Sequence, residues 1–417
     1  MVKIKMETQL NPILTNYKTN DTASEYKIHV EMESGTYATY ETYSSGGGGI
    51  EYTGGEVGTA PAPTSLYVGY PSAQTGSSNP TNFAYSTPFF SAINNQGESV
   101  TVVKIQLTET TYATPIWDSG DISIASTANG ARTSDIFYGS GNPPTSILEA
   151  GKTYYWHIRT KAGATSSVWS TDGTIGITTG SLTGRFYSGA GDGWVGYSYD
   201  SNDHPWSETH NATIGNWTLY SGNTAYLFSQ EGYSTGGALI YTNNYSIGRF
   251  FLPFNTALLP ESITFSNAKL YVYFITKYNG DNDGEDFVSI VRTTQASPTT
   301  LVGEDYDQAG AISNPVEGSN RFDITDMVSS GYNSWTLNST GTGWISTTGW
   351  TQLGLREGHD ILDSPIALQS RNQLMLRTSE YSGLSIDPYL EVTYSAPVAG
   401  GHWDKVDEVL VIYNGLQ

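Results

Sequence analysis

The chain has 417 residues, enough for two or three domains with a core in each, and it sets 40 acidic residues against 19 basic ones, a net charge of −21. That balance suits solubility at high concentration and argues against nucleic acid as a main partner, because phosphate binding needs concentrated Lys and Arg. There is no cysteine, so neither disulfides nor thiolate chemistry contribute, and no run approaches the roughly 18 apolar residues of a membrane-spanning helix.

Only 14% of residues are charged, while Gly (46) and Tyr (30) are abundant. Long helical patterns are absent, and the fold class expected is all-β. Residues 1–58 form a β-prone attachment segment. Val2, Ile4 and Met6 alternate with Lys3 and Lys5, and Tyr26, Ile28, Val30 and Met32 alternate with polar neighbours. The segment ends in the glycine-rich stretch from Ser44 to Gly49 and at Gly54 and Gly55, which reads as a flexible joint. The opening MVKIKMETQL lacks the apolar region of a secretory signal. The expectation is synthesis in a host cytoplasm.

Residues 59–180 read as a second unit, opened by Pro61 and Pro63. Strands are expected at Val100 to Leu107 and Tyr154 to Arg159, separated by turns around Trp117 to Gly120, Asn129-Gly130 and Pro143-Pro144. In the run LEAGKTYYWHIRTKA, Leu148 to Ala162, period-two alternation puts Tyr154, Trp156 and Ile158 inward and Tyr155, His157 and Arg159 outward. With WDSG at Trp117 to Gly120 and VWST at Val168 to Thr171, this unit resembles a fibronectin type III-like domain, Tyr154 matching that family's corner tyrosine. The resemblance implies a spacer or binding module without catalytic residues.

Residues 181–396 read as a third unit. An Arg-led apolar strand, GRFFLPF from Gly248, precedes a Pro-containing turn. The next strand alternates Leu270, Val272 and Phe274 with Tyr271 and Tyr273, and the later DPYLEVTY, Asp387 to Tyr394, closes a sheet. A short helical turn is expected near Asp323 to Ser330. RFFLPF with its LYVYF strand, FDITDMV at Phe322 to Val328 and the terminal DPYLEVTY resemble the jelly-roll domains of the DNRLRE and carbohydrate-binding-module type, although the namesake motif is missing. That resemblance implies a two-sheet sandwich of a kind found as non-catalytic appendages on extracellular and phage proteins, some of them glycan-binding. The tail, 397–417, sets Val409, Val411 and Tyr413 on one face before an Asn414-Gly415 turn signal. It resembles the tryptophan-led strands that close many phage tail proteins.

Several patterns in the sequence bear on chemistry. Gly232 to Gly236 fits the nucleophile-elbow spacing, but the elbow needs a following helix and GALIYT is strand-like. Gly191 to Gly196 fits a dinucleotide-type glycine pattern, but Trp194 and Val195 begin a strand where a helix is required. The six histidines are scattered, with no zinc-type pair. No catalytic residue is assigned and no enzyme is expected. The loop NGDNDGED places Asp281, Asp283, Glu285 and Asp286 around a glycine turn, either a calcium site or a solvated acidic hairpin. Aromatics gather at Trp194, Tyr197, Tyr199, Trp206, Trp217 and Tyr220. Flat rings stack on sugars, whereas strand aromatics ordinarily pack. Trp206, after His204-Pro205 in a polar loop, is the chosen exposed platform.

These readings together lead to an expectation of a non-enzymatic virion surface protein, a tail, fibre or decoration component. It would meet other copies of itself, or other virion proteins, through its terminal strands and would contact cell-surface glycan. The alternative expectation is a secreted or cell-surface bacterial or archaeal protein that binds glycan or forms filaments.

Overall fold

The computed structural model describes residues 60–197, 204–232 and 243–395, together with the backbone of two earlier antiparallel strands, β1 (Glu25–Glu31) and β2 (Tyr37–Tyr43). The glycine joint, the Ser-containing half of the elbow-like pattern, Tyr199 and the C-terminal tail lie outside the described residues. The chain is all-β: its strands curl into antiparallel sheets packed as sandwiches.

The first sandwich is built from β3 (Thr64–Gly69), β4 (Phe89–Ile93), β5 (Val100–Thr108), β6 (Trp117–Asp118), β7 (Ile122–Thr127), β8 (Ile136–Phe137), β9 (Thr153–Ala162), β10 (Thr165–Ser166) and β11 (Gly173–Gly176). One sheet has the order β3-β4-β8, and the other β10-β9-β5-β6 with β11 beside β9 and β7 beside β5. Register across β5 and β9 pairs Ile105 with Ile158 and Leu107 with Trp156. Tyr154, Trp156 and Ile158 therefore face the core, while Tyr155 stays exposed, as the alternation predicts. Phe90 of the opposite sheet closes the layer, its ring centroid 4.7 Å from that of Trp156. The Tyr154 hydroxyl accepts a hydrogen bond from the Glu149 backbone N–H, 3.0 Å away.

The larger sandwich uses β12 (Leu182–Tyr187), β13 (Gly193–Tyr197), the short helix α1 (Trp206–His210), β14 (Trp217–Leu219), β15 (Thr224–Glu231), β16 (Tyr245–Asn255), β17 (Thr264–Asn279), β18 (Phe287–Arg292) and β19 (Phe322–Asp323). It continues through β20 (Gly331–Thr336), α2 (Ser339–Thr342), β21 (Trp350–Glu357), α3 (Gly358–Leu362), β22 (Arg371–Arg377) and β23 (Tyr389–Ser395). The strand order is β12-β23-β17-β22-β15-β16-β21-β18-β19, with β13 and β14 beside β16 and β20 beside β17. A 3-10 turn at Ile324–Asp326 occupies the stretch expected to be helical. The glycines at 191–196 lead into β13, which pairs with β16, so no helix follows them.

Strand β17 follows its alternation: Leu270, Val272 and Phe274 are fully buried, whereas Tyr271 and Tyr273 stay half-buried on the outer face. Strand β16 does not alternate. It is buried at every position from Tyr245 to Phe254, the pattern of a strand covered on both sides. Phe250, Leu252 and Phe254 enter the main core, while Ile247 and Phe251 join a second cluster with Val195, Trp206, Tyr245, Leu301 and Tyr306. Each such side chain contributes about 1.5–3 kcal/mol on burial, so the second cluster needs its aromatic cover as much as the main core needs its own.

The two sandwiches share one contiguous apolar core. The segment at 83–87 runs beside β12, with parallel bridges Phe83–Ile177 and Tyr85–Thr183. Arg185 of β12 sits at the seam, its guanidinium 3.9 Å from the Tyr389 ring centroid and 4.9 Å from that of Tyr70. Tyr70 in turn donates its hydroxyl proton to Glu391 of β23.

Candidate metal centre

The acidic loop joins β17 to β18. Asn282 and Gly284 take positive φ, 52° and 98°, and reverse the chain there. Asp286 is buried and spends its carboxylate inside the loop, Oδ1 accepting from the Gly284 N–H at 2.9 Å and Oδ2 from the Asn279 side chain. It is a clasp, which corrects its expected place among the cation ligands. Asp281, Asp283 and Glu285 reach toward a residue that the sequence left unassigned, Asp281 Oδ2 also accepting from the Ala367 N–H at 2.8 Å.

That residue is His359 on α3. The helix starts at Glu357, whose Oε2 caps it by accepting the His359 N–H at 3.0 Å. Two neighbours hold α3 in place. Gly358 lies so close to the loop that a Cβ there would meet the Glu285 carbonyl oxygen at 1.8 Å. Asp360, fully buried, is gripped by Arg249 and Arg356. His359 is thereby driven beneath the loop, its side chain 0% exposed.

The imidazole has two different sides. Nδ1 lies 2.9 Å from Glu357 Oε1, which also accepts from the Asn372 side chain at 2.9 Å. A carboxylate can only accept, so Nδ1 carries the hydrogen. Nε2 faces Asp281 Oδ2 at 3.3 Å, Asp283 Oδ2 at 3.6 Å and Glu285 Oε2 at 4.0 Å. It makes no hydrogen bond to any of them, and Glu285 Oε2 is likewise buried and without a partner. Burial disfavours the imidazolium, but the hydrogen bond and charge of Glu357, with the charges of Asp283 and Asp281, outweigh it and push His359 up to about 9. Ligand atoms of Asp281, Asp283 and His359 lie within 4.8 Å of one another. Asp281 and His359 make a closed floor, and Asp283, 45% exposed, opens the site to solvent.

The expected sugar-binding set does not assemble. Trp206, the chosen platform, is only 7% exposed. It begins α1, stacks on His210, meets Tyr245 edge-on and donates its Nε1 proton to Asp363 at 3.0 Å. Trp194 is also buried, with Phe228 and Tyr226 edge-on to its ring. Both are corrections: β16 buries two faces, Trp194 lying with Phe228 and Phe250 in the main core on one side and Trp206 with Ile247 and Phe251 on the other. Tyr197 is half-buried and donates to Glu208 at 3.2 Å. Trp217, at 57%, remains an exposed ring. A different aromatic strip lies on the outer face of the sheet, where Tyr271 stacks on Tyr389 at 4.5 Å and Tyr332 meets Tyr273, Tyr271 and Tyr389 edge-on. Its signal was already present in the outward half of the β17 alternation.

No protein-family model matches the sequence, and no curated protein is similar to it. Solved structures with some likeness include the native α-L-rhamnosidase from Aspergillus terreus, at 10% identity over 78% of this chain and 28% of that one, with a TM-score of 0.18. The secreted serine protease VesC from Vibrio cholerae matches at 11% identity over 71% of this chain and 47% of that one, with a TM-score of 0.15. The chain thus spans under half the length of each, and TM-scores this low carry no argument about its fold or activity.

Proposed function

We propose that this chain is a non-enzymatic virion surface protein, of the tail, fibre or decoration kind, that holds β-sandwich domains outward from an assembly. The observation that carries the reading is the seam between the sandwiches. A shared apolar core, paired backbone and the Arg185–Tyr70–Glu391 contacts fix one sandwich on the other, which suits a part that transmits position and not one that opens around a substrate. The Tyr154–Glu149 corner contact supports the fibronectin type III-like reading of the first sandwich, and the curled antiparallel sheet of the second supports the jelly-roll reading. The chain would be made in a host cytoplasm and reach the particle surface by assembly through its terminal segments. Antibody raised against the recombinant chain is expected to decorate particles released by lysis of cells carrying the gene. Bare particles, with label on the cell surface or in the medium, would overturn this reading in favour of the second.

The second reading is a secreted or cell-surface glycan-binding protein. It is favoured by the strip of Tyr271, Tyr273 and Tyr332, half-buried rings on a sheet face that offer stacking surface. A glycan array probed with the whole chain and with Tyr273→Ala tests it. Equal signals from the two proteins would remove the strip as a sugar site.

A further inference from the structure

We propose that Asp281, Asp283, Glu285 and His359 bind one divalent transition ion of the zinc or manganese class, which staples the β17–β18 loop to α3. The proposal does not depend on the virion reading.

Three observations converge on it. First, four carboxylates, those of Asp281, Asp283, Glu285 and Glu357, surround one imidazole. Even with the ring protonated, the cluster keeps an excess of negative charge, and Asp281 and Glu357 are too buried for water to screen it well. Second, the buried Nε2 has no hydrogen-bond partner although it points at three carboxylates. A buried polar atom without a partner costs stability, and a cation between Nε2 and those oxygens would satisfy both sides together. Third, the far side of the ring is arranged as metal-bound histidines are. Nδ1–H donates to Glu357, which Asn372 holds in place. Such a carboxylate behind the ring fixes the tautomer and makes the facing nitrogen a better donor.

The donor set chooses the ion. Calcium and magnesium take oxygen ligands, and an all-oxygen calcium site is one of the two readings that the sequence allows, beside a solvated acidic hairpin. The structure removes the oxygens of Asp286 from that set and inserts an imidazole nitrogen. Imidazole with carboxylates suits zinc and its first-row neighbours. The ligands come from two stretches far apart in the chain, so the ion would also tie the β17–β18 loop to α3 just beyond the end of the β18–β21 pairing at Val288 and Glu357.

Calorimetric titration of the chelator-treated full chain with zinc chloride is the test. One equivalent is expected to bind, with affinity falling at least tenfold in His359→Gln and in Asp281→Asn. Asp326→Asn, an exposed acid outside the cluster, should bind as the wild type does. Absence of a stoichiometric zinc or manganese site would overturn the proposal, leaving a protonated His359 paired with its acids. Equal calcium binding by the wild type and His359→Gln, without competition from zinc, would overturn it in favour of an all-oxygen site. If His359→Gln does not fold, X-ray absorption at the zinc edge of the loaded wild type decides: imidazole scattering supports the assignment, and its absence refutes it.

Discussion

Replacing Asp360 by Asn should be the most damaging single-atom-scale change in the larger sandwich. The carboxylate accepts four charged hydrogen bonds: from Arg249 Nε at 3.0 Å and Nη2 at 2.7 Å, and from Arg356 Nε at 2.6 Å and Nη2 at 2.8 Å. All three side chains are essentially inaccessible to solvent. Burial alone would raise the Asp360 pKa, but the charges of Arg249 and Arg356 hold it far below the usual carboxylate range. Asn keeps one acceptor, turns an amide against guanidinium donors and leaves two buried cations without a counter-charge. Breaking a buried pair in this way costs about 3–5 kcal/mol. Carbonyls of Tyr306, His210, Ala311 and Ile312 already receive other guanidinium protons, which argues for the middle of that range. About 4 kcal/mol is roughly a thousandfold in an opening equilibrium. Hydrogen exchange in β16 and β21, whose residues Phe250 and Leu355 pair directly, reads that equilibrium locally. Protection should fall by about three orders of magnitude there and much less in β5 and β9 of the other sandwich. A fall below about tenfold would refute the reasoning. Replacing all three charged residues together with apolar ones should recover most of the loss, because an apolar cluster of matched volume needs no counter-ion.

Trp206→Ala should destabilise the larger sandwich by about 3–5 kcal/mol, as expected for an aromatic removed from a core, while Trp217→Ala, at an exposed ring, should change the urea midpoint little; equal effects would sink the two-sided account of β16. Burial, with the charge of Glu380 added, pushes Asp387 up to about 8, so between about pH 4 and pH 8 the native state holds a proton that the unfolded state has released. Stability linked to this group is present below pH 4 and lost as pH rises toward 8; Asp387→Asn should therefore melt higher than the wild type at pH 8 and show a flatter melting profile, and parallel profiles would refute the assignment. Arg185→Ala should loosen the seam, seen as two resolved calorimetric transitions in place of one; a single unchanged transition would count against Arg185 as the tie. Deleting residues 398–417 should abolish assembly while both sandwiches stay folded by circular dichroism, and a truncated chain that still assembles would remove the tail from that role.

Much of the fold was legible because strand alternation is a local property. Successive side chains on an extended backbone point to opposite faces, so Tyr154, Trp156 and Ile158, like Leu270, Val272 and Phe274, declared their inward faces without knowledge of any partner. The acidic loop was legible for the same reason, being contiguous. Other features depended on what came to lie opposite. The run at Tyr245–Phe254, apolar but for Ser246 and Arg249, is buried throughout, and only the packed chain identifies Val195, Trp206, Leu301 and Tyr306 as its second cover, which is why Trp206 is a core residue and not a platform. Likewise His359 is one of six scattered histidines in the sequence, and nothing near it in the chain hints at Asp281. Alternation along the chain settles which residues of one strand share a face and which of its faces is apolar. The tertiary structure alone decided which distant carboxylates surround which nitrogen, because burial and charge act through space between segments that the chain order keeps apart.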